Sequence, residues 1–256
     1  MERCEYEVMY RSEDEHWWYS GLQDLVRSFA EARARGTNRP VILDAGCGTG
    51  KHLELLTGAG ARALGLEFAE EAFAFLGLRG LDNVARGSVR HIPFADAAFD
   101  AVISTDVVCC LEPGPGTAAV REFSRVLKPG GSLLLNLPAY EFLRSRHDAA
   151  VHTRQRFTRS GLLRLLGEVG LRAQTATYRN SILFPVAAAV RLAQRAGGGG
   201  GVSGPTSDLS LPFGPINRLL KATLALENRW IRAGGRFPFG LSVFCVATKD
   251  RPVAQG

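Results

Sequence analysis

The sequence predicts an α/β fold, a doubly wound and mostly parallel sheet of seven strands with helices on both faces. Three observations carry this. From Pro40 onward short apolar runs alternate with helical patterns, and one such run, ending in Asp44, passes at once into Gly46, Gly48 and Gly50. Further on, Lys128-Pro129-Gly130-Gly131 stops a helix near Leu127 and turns the chain into another apolar run. With 256 residues, 46% of them hydrophobic, the chain can bury one sizeable core and carry some decoration.

Residues 1–36 open with Glu13-Asp14-Glu15-His16-Trp17-Trp18-Tyr19, after which Leu22, Leu25, Val26 and Phe29 recur at helical spacing, predicting an N-terminal helical cap. The strand candidates are Val41–Leu43, Ala61–Leu66, Val84–Val89, Phe99–Ser104, Ser132–Leu137, Leu171–Tyr178 and a closing strand Leu241–Thr248. The core is therefore expected over 37–179 and 241–250, with a helix near Ser160–Val169. Between its last two strands, residues 180–240 form a helical insertion with an apolar segment, a flexible Gly-rich linker over 196–208 and a second helix near Pro215–Ala233. In that helix Ile216, Leu219, Leu220, Leu224 and Ile231 fall toward one side and Arg218, Lys221, Arg229 and Arg232 toward another. Such a helix either packs on its own domain or makes peripheral membrane contact through residues 216–232.

Basic side chains exceed acidic ones, 31 to 25, but the arginines are scattered, which reads as solvated surface and not as a nucleic-acid stripe. Five cysteines, an odd number without a Cys-x-x-Cys pair or a secretory leader, suit a reducing cytoplasm. The most apolar window, Ser181–Ala193, is broken by Pro185 and Arg191 and falls short of the roughly 20 residues needed to span a bilayer. No metal-ligand set is expected.

The glycine turn after Asp44 leaves no side chains to obstruct a ligand lying flat against the backbone. A dinucleotide fingerprint would want Gly or Ala at 51, where Lys51 stands, and the Walker lysine spacing is absent. The second strand ends at Glu67, 17 residues after Gly50, which places a carboxylate beside the loop as an anchor for ribose hydroxyls.

These segments resemble the class I S-adenosylmethionine-dependent methyltransferases of the bacterial small-molecule type, over about residues 38–178. Val41 to Gly50 looks like the first motif of that Rossmann-like methyltransferase fold. Gly87 to Phe94 with Phe99-Asp100 is similar to the adenine-holding segment, and Arg125 to Gly131 to the turn before the fifth strand. The resemblance implies S-adenosylmethionine as cofactor. Asp44, Ala45, Gly46, Cys47, Gly48 and Gly50 would approach its methionine part, Glu67 its ribose, and Phe68, Ser88 and Val89 its adenine, with Thr105 and Asp106 at the edge. Two departures stand out: Ser88 replaces a frequent Asp, and Asp106-Val107-Val108-Cys109-Cys110 replaces a frequent Glu-His after the fourth strand. Cys109 and Cys110 read as buried small apolar residues.

An acceptor that keeps its proton at neutral pH needs a base, and the candidates are His152 first, then His147 and His16. Trp17, Trp18 and Tyr19 either close over the acceptor as an aromatic lid or staple the first helix to the sheet; Tyr140 and Phe157 are further substrate-side candidates. Ile182, Leu183, Phe184, Leu211 and Phe213 suggest that the insertion caps a hydrophobic or amphipathic small-molecule acceptor. Two rivals keep the fold: a protein that binds the cofactor for a non-methylating reaction, and a membrane-peripheral lipid- or quinone-type methyltransferase. The Asn/Asp-Pro-Pro-aromatic and Pro-Cys motifs of nucleic-acid enzymes do not occur, so no nucleic-acid partner is expected.

Overall fold

The computed structural model describes residues 3–36, 38–112, 114–189 and 214–251; Leu211, Phe213 and the Gly-rich linker 196–208 lie outside the described residues. Seven strands form one sheet in the order β3-β2-β1-β4-β5-β7-β6. They are β1 (Val41–Ala45), β2 (Arg62–Glu67), β3 (Val84–Arg86), β4 (Phe99–Thr105), β5 (Leu127–Pro138), β6 (Leu171–Arg179) and β7 (Ser242–Lys249). Only β7 runs antiparallel to its neighbours, β5 and β6.

Alternation along each strand explains the two layers of helix. Ile42, Ala101, Ile103 and Leu134 face one side, where α2 (Trp17–Gly36) and α3 (Lys51–Gly58) cover them. Leu43, Val102, Leu133 and Leu135 face the other, under α5 (Pro115–Val126) and α7 (Arg159–Glu168). Between these lie α4 (Glu70–Leu78) after β2 and the short α6 (Arg146–Ala150) after β5. Phe123 of α5 is fully buried, and truncating it to alanine would cost about 3–5 kcal/mol.

Two expectations need correction. The third strand stops at Arg86: Gly87 N makes its last ladder bond, to Glu67 O (2.9 Å), and the chain then turns into a Ser88–His91 bridge. Lys128–Gly131 does not precede β5 but lies inside it: Leu127 pairs with Phe99 and Ser132 with Ala101, so the proline and glycines swell into a bulge. The N-terminal cap holds two helices, α1 (Arg3–Ser12) and α2, separated at Glu13–His16.

After β6, residues 184–189 are helical and α8 (Gly214–Arg232) returns to the domain. It packs on α2 through Leu224 and Ile231; Asn228 Nδ2 donates to Gly21 O (2.7 Å) and Asp24 Oδ2 (2.9 Å). At its start Asn217 Oδ1 accepts from Trp17 N (3.0 Å), so the insertion leans on the N-terminal cap.

Candidate active site

Parallel sheets open a crevice at the carboxyl ends of their strands, and here β1 and β4 are the adjacent pair where the winding reverses. The loop after β1 is held by Gly46 N and Cys47 N, which both donate to Leu66 O (2.8 and 3.1 Å). Gly46 has a φ of 89°, and a Cβ there would meet Val107 Cγ2 at 2.3 Å, so only glycine fits. Glu67, at the end of β2, accepts from Gly48 N (2.8 Å) through Oε2, and from Phe68 N and Ala69 N (2.9 Å each) through Oε1. One carboxylate thus braces the glycine loop and the entry to α4 together.

Asp44 lies beneath this loop, fully buried, with neither carboxyl oxygen hydrogen-bonded. Burial, reinforced by the nearby Glu67 charge, pushes its pKa up to about 8. His52 Nδ1 stands 4.0 Å from Asp44 Oδ2, but burial pulls the imidazole down to about 4; it is neutral at pH 7 and the two make no ion pair. A buried carboxyl without a partner costs the fold free energy, and a polar or cationic ligand group would relieve it.

A cavity of about 640 Å³ runs from this loop across the sheet edge. Gly46, Gly48, Glu67, Phe68, Ser88, Val89, Thr105 and Asp106 line it on one side. Asp106 has a φ of 57° and projects into the cavity, held by Asn136 Nδ2 at 3.1 and 3.2 Å from its two oxygens. Its low-dielectric setting lifts its pKa to about 6, opposed by the Arg179 charge, the Asn136 donor and the Arg156 charge. Arg179 is itself buried and donates to Asn136 Oδ1 (3.3 Å), so a chain of polar groups backs Asp106.

The opposite wall holds Trp18, Tyr19, Leu241, Ser242 and the segment His147–Arg156. Asp148 and Arg156 form a buried, two-pronged ion pair at 2.8 and 2.9 Å. Burial alone would raise the Asp148 pKa, but the Arg156 guanidinium and the Ser145 donors hold it below the usual carboxylate range. This segment is tied to the end of β4 because Cys109 O accepts from both Arg154 N (2.8 Å) and Gln155 N (3.1 Å). His147 Nδ1 is buried with no hydrogen-bond partner among the described residues, and His152 sits at the wall with a φ of 58°. Both Cys109 and Cys110 border the cavity; Cys109 is buried, as its type suggests, whereas Cys110 is half-buried.

Several candidates stand away from the cavity wall. His16 is buried and its Nδ1 accepts from Trp18 N (3.2 Å), capping the first turn of α2, so it is not placed to act as a base. Trp17 packs edge-on against Trp18 behind the wall. Tyr140 stacks on Tyr178 with ring centroids 5.0 Å apart and packs on Phe184 under the insertion. Phe157 uses its backbone to extend the β5 edge, donating to Pro138 O (2.8 Å), and its ring packs against the core. Ile182 is exposed. Ala45, Cys47 and Gly50 lie in or under the loop, where they support its shape without lining the cavity.

Sequence pattern does not point to Glu5, Tyr6 and Met9, which α1 lays over the loop, nor to Leu241 and Ser242 from much later in the chain. Tyr6 and Met9 lie one position short of a full turn apart, a weak amphipathic signal in ten residues.

The fold and this crevice define the class: a doubly wound α/β protein shaped for a nucleoside-bearing cofactor at the β1–β4 switch point. Residues 43–135 match the methyltransferase domain model, so the chain carries a methyltransferase domain of the class I S-adenosylmethionine-dependent type, whose cofactor is S-adenosylmethionine. A Ubiquinone biosynthesis O-methyltransferase from Xanthomonas oryzae pv. oryzae is 35% identical over 100 residues, 37% of this chain and 41% of that one. A "Probable tRNA methyltransferase 9B" from Bos taurus is 32% identical over 135 residues, 51% of this chain and 28% of that one. The matched segment thus spans less than half the length of either relative. Among solved structures, the [4+2]-cyclase SpnF superposes with a TM-score of 0.58 at 22% identity, covering 91% of this chain and 82% of that one, a likeness of fold.

The residues present fit that cofactor. The unpartnered Asp44, the glycine positions without room for a Cβ, and Glu67 at the loop form a carboxylate-rich cradle suited to a cation that carries a ribose. No helix among the described residues is long and apolar enough to cross a membrane.

Proposed function

We propose that the chain transfers the methyl group of S-adenosylmethionine to a small-molecule acceptor held in the far half of the cavity. The observation that carries this reading is the continuity of the cavity from the Gly46–Gly48 loop to Trp18, Leu241 and the His147–Arg156 wall, which gives cofactor and acceptor one shared volume. The wall mixes apolar Trp18, Leu111, Pro138, Val151 and Leu241 with a few polar groups, which suits a hydrophobic or amphipathic acceptor.

The cofactor supplies an electrophilic methyl on a sulfonium. Asp44, Gly46, Gly48, Glu67, Ser88, Val89 and Asp106 would hold it. The protein's chief contribution is alignment, which is worth effective molarities on the order of 10⁵ to 10⁸ M, against about 10² to 10⁴ from a general base. Where the acceptor is protic, His152 or His147 takes its proton. The N-terminal helices, which bring Tyr6, Met9, Trp18 and Tyr19 to the cavity, would keep water out.

Titration calorimetry with S-adenosylmethionine and S-adenosylhomocysteine, with NAD as control and Glu67→Ala as the weakened variant, tests the cofactor half. Label from methyl-tritiated cofactor then tests the acceptor half, offered to a small-molecule extract and to total tRNA in parallel. Label in small molecules supports the reading. Label in tRNA alone, or tight cofactor binding without any transfer, overturns it.

A further inference from the structure

We propose that α8 docks the protein on an anionic lipid bilayer, an inference that does not rest on the methyl-transfer reading. Three observations converge. First, α8 keeps a row of large apolar side chains in water: Ile216, Leu219, Leu226 and Trp230 are 51, 67, 66 and 55% exposed. At about 100° per residue they fall within an arc of roughly 80°, beside the face formed by Leu224, Glu227, Asn228 and Ile231 that packs inward. Ile182 and Val186, 51 and 69% exposed, widen the patch, because Ser181 N and Ile182 N donate to Glu227 Oε2 and hold that segment against α8. Apolar side chains gathered this way on a soluble domain mark a contact surface.

Second, the remaining outward arc of α8 is cationic. Arg218, Lys221 and Arg229 make no ion pair among the described residues, and Arg232 is held by Asp24 (2.8 Å). The helix has a single acid, Glu227, and it is buried. An apolar arc next to a cationic arc with no exposed acid is the pattern of a helix lying in a lipid interface, its apolar side among acyl chains and its long basic side chains at the phosphates. A protein partner with an acidic groove would fit the charge, but the apolar row continues onto a second segment at Ile182 and Val186, which favours a broad, deformable surface.

Third, the patch adjoins the cavity. Asn217 at the start of α8 is bonded to Trp17 N and to Glu15 O (2.9 Å), and the next residue, Trp18, lines the cavity wall. Docking through α8 would bring that wall close to the headgroups, where an amphipathic acceptor partitions.

The experiment is co-sedimentation of the full chain with vesicles of phosphatidylcholine alone and of phosphatidylcholine mixed with phosphatidylglycerol. Binding is expected to the anionic vesicles. The triple variant Arg218→Gln, Lys221→Gln, Arg229→Gln should weaken it on the order of a hundredfold, from about a factor of five per cation. The apolar variant Leu219→Glu with Leu226→Glu, at positions exposed enough to leave folding intact, should abolish it while circular dichroism and cofactor affinity stay unchanged. Failure to bind either vesicle overturns the proposal, as does binding that both variants retain. A solution dimer that dissociates in the apolar variant would also overturn it, assigning the patch to a second copy of the chain.

Discussion

Asp44→Asn tests the physical account of the site most directly, because it should stabilise the protein while damaging it. A carboxyl whose pKa rises from 3.8 to about 8 on burial costs the unliganded fold about 4 kcal/mol at pH 7, against a free carboxyl. The amide has the same shape and no charge, but its buried polar atoms would also lack partners, a penalty of about 1–3 kcal/mol. The net expectation is a gain of about 2 kcal/mol, or roughly 4–8 °C in Tm for a chain of this size. The pH dependence gives the sign. A folded-state pKa above the unfolded one means that the Asp44 contribution is intact below about pH 4 and is lost as pH rises through about 8. The stability difference between variant and wild type should therefore open from about pH 4 and level off above about 8. Thermal unfolding from pH 5 to 9 measures it, and calorimetry should show S-adenosylmethionine affinity falling in the same variant. A variant less stable than wild type throughout, or a difference flat with pH, would refute the assignment of Asp44 as a buried carboxyl awaiting a ligand.

Glu67→Gln removes the charge that three backbone N–H groups share, and should weaken S-adenosylmethionine at least tenfold by calorimetry. Arg156→Ala leaves Asp148 buried and unpaired and should cost about 3–5 kcal/mol in urea unfolding, whereas replacing both partners by Met and Leu should cost much less. Because Asp106 titrates near 6, affinity for the cationic cofactor should rise with pH through that value; Asp106→Asn should remove this inflection, checked by calorimetry from pH 5 to 8.

The cofactor side of the cavity was legible because each piece of it follows a strand end within a few residues. Asp44 and the glycine turn close β1, Glu67 closes β2 and Asp106 follows β4, so placing the strands placed these residues. Apolar spacing over Val84–Val89 does not register the turn after Gly87, and Lys128–Gly131 suits a bulge as well as a full stop because both demand the same residues. The wall opposite the cofactor loop obeys no such rule. It is assembled from the start of α2, from Leu241 and Ser242, and from the loop after β5, segments up to about 220 residues apart whose meeting depends on how α8 packs on α2. His16 shows the limit: a histidine before two tryptophans reads equally well as a lid residue or as a helix cap, and only the hydrogen bond from Trp18 N decides. The cofactor loop is thus written locally and repeatably into strand ends, while the wall opposite it is left to long-range packing of the appended helices. On the proposed function, variation in those helices would change the acceptor without disturbing Asp44, Glu67 or the sheet that holds them.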